Sequence, residues 1–192
     1  MCFDDDTTMR LYRQTIEDFG LYAGMELTDS EMKSLQEAAG KMSAKMRAVR
    51  IVSATGVSKK DLEQRLIHKG ESPVDAKSAV QWLSDLDLLD DEKTAAQVVG
   101  RCIEKGYGIN RAKQALFEKR IPKEHWDKAL ENYPEQSDFI RKYLASHLDN
   151  NADMKQRRKA IDALIRRGHS YSAIRCEMEK LFQDIEEFPE EV

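Results

Sequence analysis

The feature that most constrains this sequence is a unit that recurs three times with its apolar positions in register. In each copy a turn launches a short helix, basic residues close it, and a second helix follows after a few residues. The clearest copy is EKGYGINRAKQALFEKRIPKEHWDKALENYP, from Glu104 to Pro134. An offset of 50 residues superposes Leu62 on Ala112, Leu66 on Leu116, Lys69 on Lys119, Ala76 on Trp126, Ala79 on Ala129 and Val80 on Leu130. A further offset of 48 carries Ala112 to Ala160, Leu116 to Leu164, Lys119 to Arg167, Trp126 to Ile174 and Leu130 to Met178. Self-similarity of this kind marks a tandem array, in which each unit completes its core against its neighbours. Plentiful Ala, Leu, Glu, Lys, Arg, Gln and Met, interrupted by only four prolines and nine glycines, make the units helical.

The expected fold is therefore all-α. Three tandem three-helix repeats occupy 44–92, 93–136 and 137–182, a less regular leader with one helix occupies 1–43, and an acidic tail occupies 183–192. In the leader, Thr28 and Glu31 have capping-box spacing and predict a helix to about Ala39. In the first repeat, Met46, Val49, Ile51 and Val52 mark one helix, ended by Ser53 to Gly56. Ser58 and Asp61 open a second, with Leu62, Leu66 and Ile67 inward and Lys69-Gly70 at its close. Ser72-Pro73-Val74-Asp75 starts a third, burying Ala76, Ala79, Val80 and Leu83.

Asp90, Asp91 and Glu92 have no histidine or third acid at ligand spacing, so they read as the cap and dipole partners of the next helix. That helix carries Ala95, Ala96, Val98, Val99 and Ile103. Gly106-Tyr107-Gly108 is a tight turn; it lacks the preceding strand and the Lys-Ser/Thr ending of a phosphate loop. Ala112, Ala115 and Leu116 then face inward, and Pro122 begins a helix that buries Trp126, Ala129 and Leu130. In the third repeat Phe139, Ile140, Tyr143, Leu144 and Leu148 precede a break at 149–151. A helix from Lys155 to Arg167 follows, with Ile161, Leu164 and Ile165 on one side; Gly168 ends it and Ser170 caps the last helix.

The formal charge of −4 hides an asymmetry. Segments 1–46 and 47–100 carry −4 and −1, 101–182 carries +6, and 183–192 carries −5. The basic excess reopens a polyanion partner that the overall balance argues against. The cations that would form such a surface are Arg111, Lys113, Lys119, Arg120 and Lys123 in the middle repeat, with Lys155, Arg157, Arg158, Lys159, Arg166 and Arg167 in the last. Any one of them fits a solvated helix surface; their grouping favours contact. Tyr107 and Trp126 have rings that stack on bases in other settings, but Trp126 fits the core and Tyr107 the turn.

Cys2, Cys102 and Cys176 are odd in number and widely spaced, which fits a reducing compartment. The latter two lie in helical patterns as small core residues. The acidic start MCFDDD is unlike a signal peptide and no apolar run is long enough for a membrane span, so the expected location is the cytoplasm. His68, His125, His147 and His169 are scattered, with no acid or cysteine at motif spacing. No nucleophile elbow is present, so no enzyme activity, metal or cofactor is expected.

Several short series give the chain a family likeness. They are Ser58, Asp61-Leu62, Leu66 and Lys69-Gly70; Leu89-Asp90-Asp91; Gly106-Tyr107-Gly108 with Leu116 and Glu118-Lys119; and Leu164 with Arg166-Arg167-Gly168. In this order and spacing the chain resembles RecX, the bacterial regulatory proteins that modulate the RecA recombinase, over about 44–182. Two departures stand out: Arg120 where the family often has glycine, and Arg101-Cys102 in place of a more basic run. The resemblance implies an elongated, curved helical array, monomeric and non-enzymatic, lying in the groove of the RecA filament on single-stranded DNA. There it would touch successive RecA protomers, reach the DNA directly or through RecA, and lower ATP hydrolysis, strand exchange and coprotease activity. The alternative is a helical-repeat DNA-binding module acting independently of RecA, since two helices joined by a turn imitate helix-turn-helix. No single helix, however, presents an obvious base-reading set.

Overall fold

The helix starts are written in short polar caps. The structure, a computed structural model, describes residues 8–149 and 151–182. Cys2, Asn150 and the acidic tail at 183–192 lie outside the described residues. Among those described there are ten α-helices, one 3₁₀ turn and no β-strand. The chain divides into two compact units, with the boundary between Asp91 and Glu92.

In the first unit, α1 spans Arg13–Asp18, α2 Asp29–Ala54, α3 Lys59–His68 and α4 Pro73–Asp85. Thr28 forms the full capping box: its hydroxyl oxygen accepts from the Glu31 amide at 3.3 Å, and its own amide donates to the Glu31 carboxylate at 2.8 Å. The helix so begun does not stop at Ala39. It runs unbroken for 26 residues, across the expected boundary between leader and first repeat. Gly40 lies inside this helix, on the side facing α4; a Cβ there would stand 2.9 Å from the carboxylate end of the Asp75 side chain. Ser58 and Ser72 cap α3 and α4 through the amides of Asp61 and Asp75, each at 3.1 Å. The three longer helices bury Ala48, Leu62, Leu66, Ala76 and Leu83 in one core. Burial of each leucine contributes about 2 kcal/mol.

Asp91 has a second role that its position in the sequence conceals. It begins α5, yet its buried carboxylate accepts from the Lys59 amide at 2.8 Å, satisfying a free donor in the first turn of α3.

The second unit, from Glu92 onward, contains all but the first residue of α5 (Asp91–Glu104), then α6 (Ile109–Glu118), a 3₁₀ turn (Lys123–His125), α7 (Trp126–Leu130), α8 (Ser137–His147), α9 (Met154–Arg166) and α10 (Tyr171–Leu181). Two clusters form its interior. Ala95, Val99, Leu116 and Ile121 pack with the half-buried Trp126, whose indole donates to the Ile121 carbonyl at 3.0 Å. Ile140, Leu144, Leu164, Ile174 and Met178 form the other. The helix expected after Pro122 is only five residues of α-helix behind the 3₁₀ turn. Ile165, grouped by the sequence with Ile161 and Leu164 on one side of its helix, is exposed, as is Ala96; Cys176, expected to be a small core residue, is exposed while Cys102 is buried.

The equivalent helices α3, α6 and α9 end identically. At Gly70, Arg120 and Gly168 φ is +92°, +52° and +87°. Each of these amides donates to the carbonyl three residues back, at 2.9, 2.8 and 2.8 Å, and the next amide donates to Leu66, Leu116 or Leu164 at 3.1 Å. This is the Schellman ending, and it requires the left-handed region that glycine enters without cost. The departure at Arg120 therefore puts a β-carbon where the other two repeats have none.

Candidate functional site

The exposed basic face of the second unit is built first on α9. Asp153 and Gln156 form a reciprocal capping box at its start, with distances of 2.7 and 2.8 Å. Ala160, Ile161 and Leu164 are buried, which fixes the helix rotation. At 100° per residue, Lys155, Arg158, Lys159 and Arg166 then fall together on the opposite face. All four are exposed, and none forms an ion pair with a described residue. Asp162 shares that face, half-buried, four residues from both Arg158 and Arg166.

Arg157 and Arg167 do not join this stripe. Arg157 lies on the inward side, its guanidinium 5.9 Å from the Phe182 ring centre and its Nε enclosed without a hydrogen-bond partner among the described residues. Arg167 sits over Phe139 and Tyr143 at 5.4 and 5.5 Å. Those rings belong to a ladder: His169 on Phe139 at 5.5 Å, Phe139 on Tyr143 at 6.5 Å, and Tyr143 on His147 at 4.0 Å. Such cation–π contacts contribute about 0.5–1 kcal/mol each and hold the Arg167 side chain in one direction.

The GYG turn, expected to be a simple turn, is a joint. Gly108 donates to the Arg167 carbonyl at 2.9 Å and Asn110 to that of Gly168 at 3.2 Å. A Cβ on Gly106 would fall on the Phe139 ring, and one on Gly108 on the Gly168 carbonyl. One on Gly168 would meet the Arg111 backbone. The buried His169 donates through Nε2 to the Gly106 carbonyl at 3.2 Å. Its pKa is pushed below the ordinary value, by burial first and by nearby Arg167 in addition, against the opposing effect of the Gly106 bond. At neutral pH the ring is uncharged and its tautomer fixed.

This joint brings Arg111, on the first turn of α6, to the C-terminal end of α9. Arg111 is tied to Glu118 at 2.9 Å. Lys113 is exposed along α6, Lys119 half-buried and Arg120 exposed at its far end, and Lys123 exposed in the 3₁₀ turn. With α6 about 15 Å long, the last three stand a helix length from the joint. The structure thus distributes the eleven candidates along a path and gathers no single pocket from them.

The ladder and a buried carboxylate are features the sequence reading passed over. Phe139, Tyr143 and His147 recur every four residues, a spacing that places them on one helix face. Glu177, with 2 % of its side chain exposed, takes Arg141 at 2.9 Å and Lys180 at 2.6 Å. No helix among the described residues is long and apolar enough to cross a membrane, and no group of three metal-binding side chains occurs among them.

No family model matches the chain. It is 31% identical over 135 residues to regulatory protein RecX of Xanthomonas axonopodis pv. citri, an alignment covering 68% of this chain and 82% of that one. It is 22% identical over 184 residues to regulatory protein RecX of Clostridioides difficile, covering 93% and 86%. A crystal structure of regulatory protein RecX superposes with a TM-score of 0.69 at 20% identity, covering 93% of this chain and 91% of that one. The crystal structure of RecX from Lactobacillus salivarius superposes at 0.64 with 21% identity, covering 75% and 97%. The repeat register, the shared fold and the 31% identity across most of a full-length relative together establish that the chain belongs to the RecX family of regulatory proteins.

Proposed function

We propose that this protein binds the RecA filament on single-stranded DNA and lowers its ATP hydrolysis, strand exchange and coprotease activity. It acts in the cytoplasm as a monomer, without catalysis of its own. The observation that carries the proposal, beside family membership, is the α9 stripe of Lys155, Arg158, Lys159 and Arg166, uncompensated by any described acid at ion-pair distance. A row of exposed cations on a rigid helix suits a polyanion or an acidic protein groove, and its contribution weakens as salt rises. Arg167, anchored on the rings, and Arg111, at the joint, extend the same surface toward α6.

The test is DNA-dependent ATP hydrolysis by RecA. Purified protein is expected to suppress it at ratios below or near one per RecA. An unchanged rate at low salt with the protein in excess rejects the proposal. Lys155→Ala, Lys159→Ala and Arg166→Ala together are expected to weaken suppression with the helical content intact. Arg157→Met is expected to leave suppression nearly unchanged, because that side chain faces inward.

A further inference from the structure

A second cationic feature lies in the first unit, where segment charge gives no hint of it. Arg47, Arg50, Arg65 and Lys69, with Tyr12 and Ile51, line an open cleft of about 440 Å³ whose lining includes no acidic side chain among the described residues. Its two walls are helical. Arg47, Arg50, Ile51 and Ala54 occupy one face of α2 at spacings of three and four, and Arg65 and Lys69 stand one turn apart along α3 and its cap.

We propose that this cleft binds the phosphate groups of a single nucleic-acid strand. The acids that cancel the local charge stand behind it. Glu71 holds the Arg47 Nε at 2.8 Å and Asp61 holds an Arg65 terminal nitrogen at 2.9 Å, with only 8% and 5% of the two acidic side chains exposed. Arg47 also donates to the Lys69 carbonyl at 2.8 Å. Each guanidinium is thereby oriented by part of its five-donor fork while the remaining N–H groups stay available. Arg50 and Lys69 are exposed and pair with no described acid, so the cleft carries two uncompensated charges.

Two charges set on opposite walls suit consecutive phosphodiesters, each carrying one negative charge, better than a compact triphosphate. Ile51, Ala54 and the Tyr12 ring supply apolar surface for sugar or base. The open form of the cleft lets a chain enter and leave at its ends. Binding of this kind belongs to the protein alone and does not depend on RecA.

The experiment is fluorescence anisotropy of a labelled oligothymidylate with the full chain, comparing Arg50→Ala/Lys69→Ala with Lys33→Ala/Lys41→Ala. The second pair removes the same charge from exposed positions of α2 outside the cleft. The cleft pair is expected to weaken binding about tenfold and to make the salt slope shallower by about 1.4, as for two lost phosphate contacts, while the control stays within about twofold. Equal losses in the two pairs, or none in the cleft pair, overturn the proposal. So does displacement of the oligonucleotide by polyglutamate as readily as by unlabelled oligothymidylate, which would assign the cleft to an acidic protein segment.

Discussion

The amide of Gly108 donates to the carbonyl of Arg167 at 2.9 Å, joining the start of α6 to the end of α9 without an intervening side chain. A methyl group on Gly108 would collide with the backbone of Gly168 and His169, which cannot rotate away. Gly108→Ala is therefore expected to destabilise the protein by about 2–3 kcal/mol in urea unfolding, in the range of overpacked cores. Gly100→Ala is the contrast: that helical position has open space around it, and a gain of about 0.5–1 kcal/mol is expected. Equal effects at the two positions would remove the joint from the account.

Arg120 carries the left-handed conformation that Gly70 and Gly168 carry in the other repeats. A β-carbon costs about 1–2 kcal/mol in that region, partly offset by the greater entropy that glycine loses on folding. Arg120→Gly is expected to raise the melting temperature by about 1–3 °C, as for a net gain of ~0.5–1 kcal/mol in a chain of this size. Thermal unfolding at low and high salt checks it. A gain present only at low salt would mean that relief of charge repulsion, and not backbone strain, is the cause.

The repeat register made much of the fold legible, because leucines that face a core in one copy do so in all: Leu66, Leu116 and Leu164 are all fully buried. The caps at Thr28, Ser58 and Ser72 were legible for the same local reason. The passage of α2 through Gly40 was not, since a glycine in a helical pattern reads equally as a helix end or as a tolerated interior position. The candidate surface divides likewise. The inward turn of Arg157 follows from helical geometry, lying as it does on the side of Ala160, Ile161 and Leu164. The capture of Arg167 by Phe139 and Tyr143 requires two helices to meet, and the first-unit cleft requires knowing that Asp61 and Glu71 stand behind their arginines.

His169 links stability to pH at the joint. Its folded pKa lies below the ordinary 6.5, so the unfolded chain binds the proton more readily. The stabilisation is fully present above pH 6.5 and is lost as pH falls through the lower folded value. Protonation would also set a charge beside Arg167 and on the face of Phe139. Urea midpoints are expected to fall between neutral pH and mildly acidic pH, and His169→Gln, which keeps a donor for the Gly106 carbonyl, is expected to flatten that decline. An undiminished slope in the variant would assign it to another group.

Glu177 acts in a separate, more acidic window. Lys180 first, and Arg141 with it, hold its carboxyl below the ordinary 4.5 despite burial. The folded state therefore gains from the ionised form above pH 4.5 and loses that gain as pH falls through the depressed value. Glu177→Gln keeps the shape and removes the charge, so the acid limb of the stability curve is expected to shift while the limb set by His169 remains. At neutral pH the cost is expected to be about 1–2 kcal/mol, smaller than for a sealed ion pair, because both cations are about half exposed and return to water when the charge is removed. Combining it with Arg141→Ala tests the pairing directly: a double-mutant coupling of about 0.5–1 kcal/mol is expected, and strict additivity would show that Arg141 contributes nothing through Glu177.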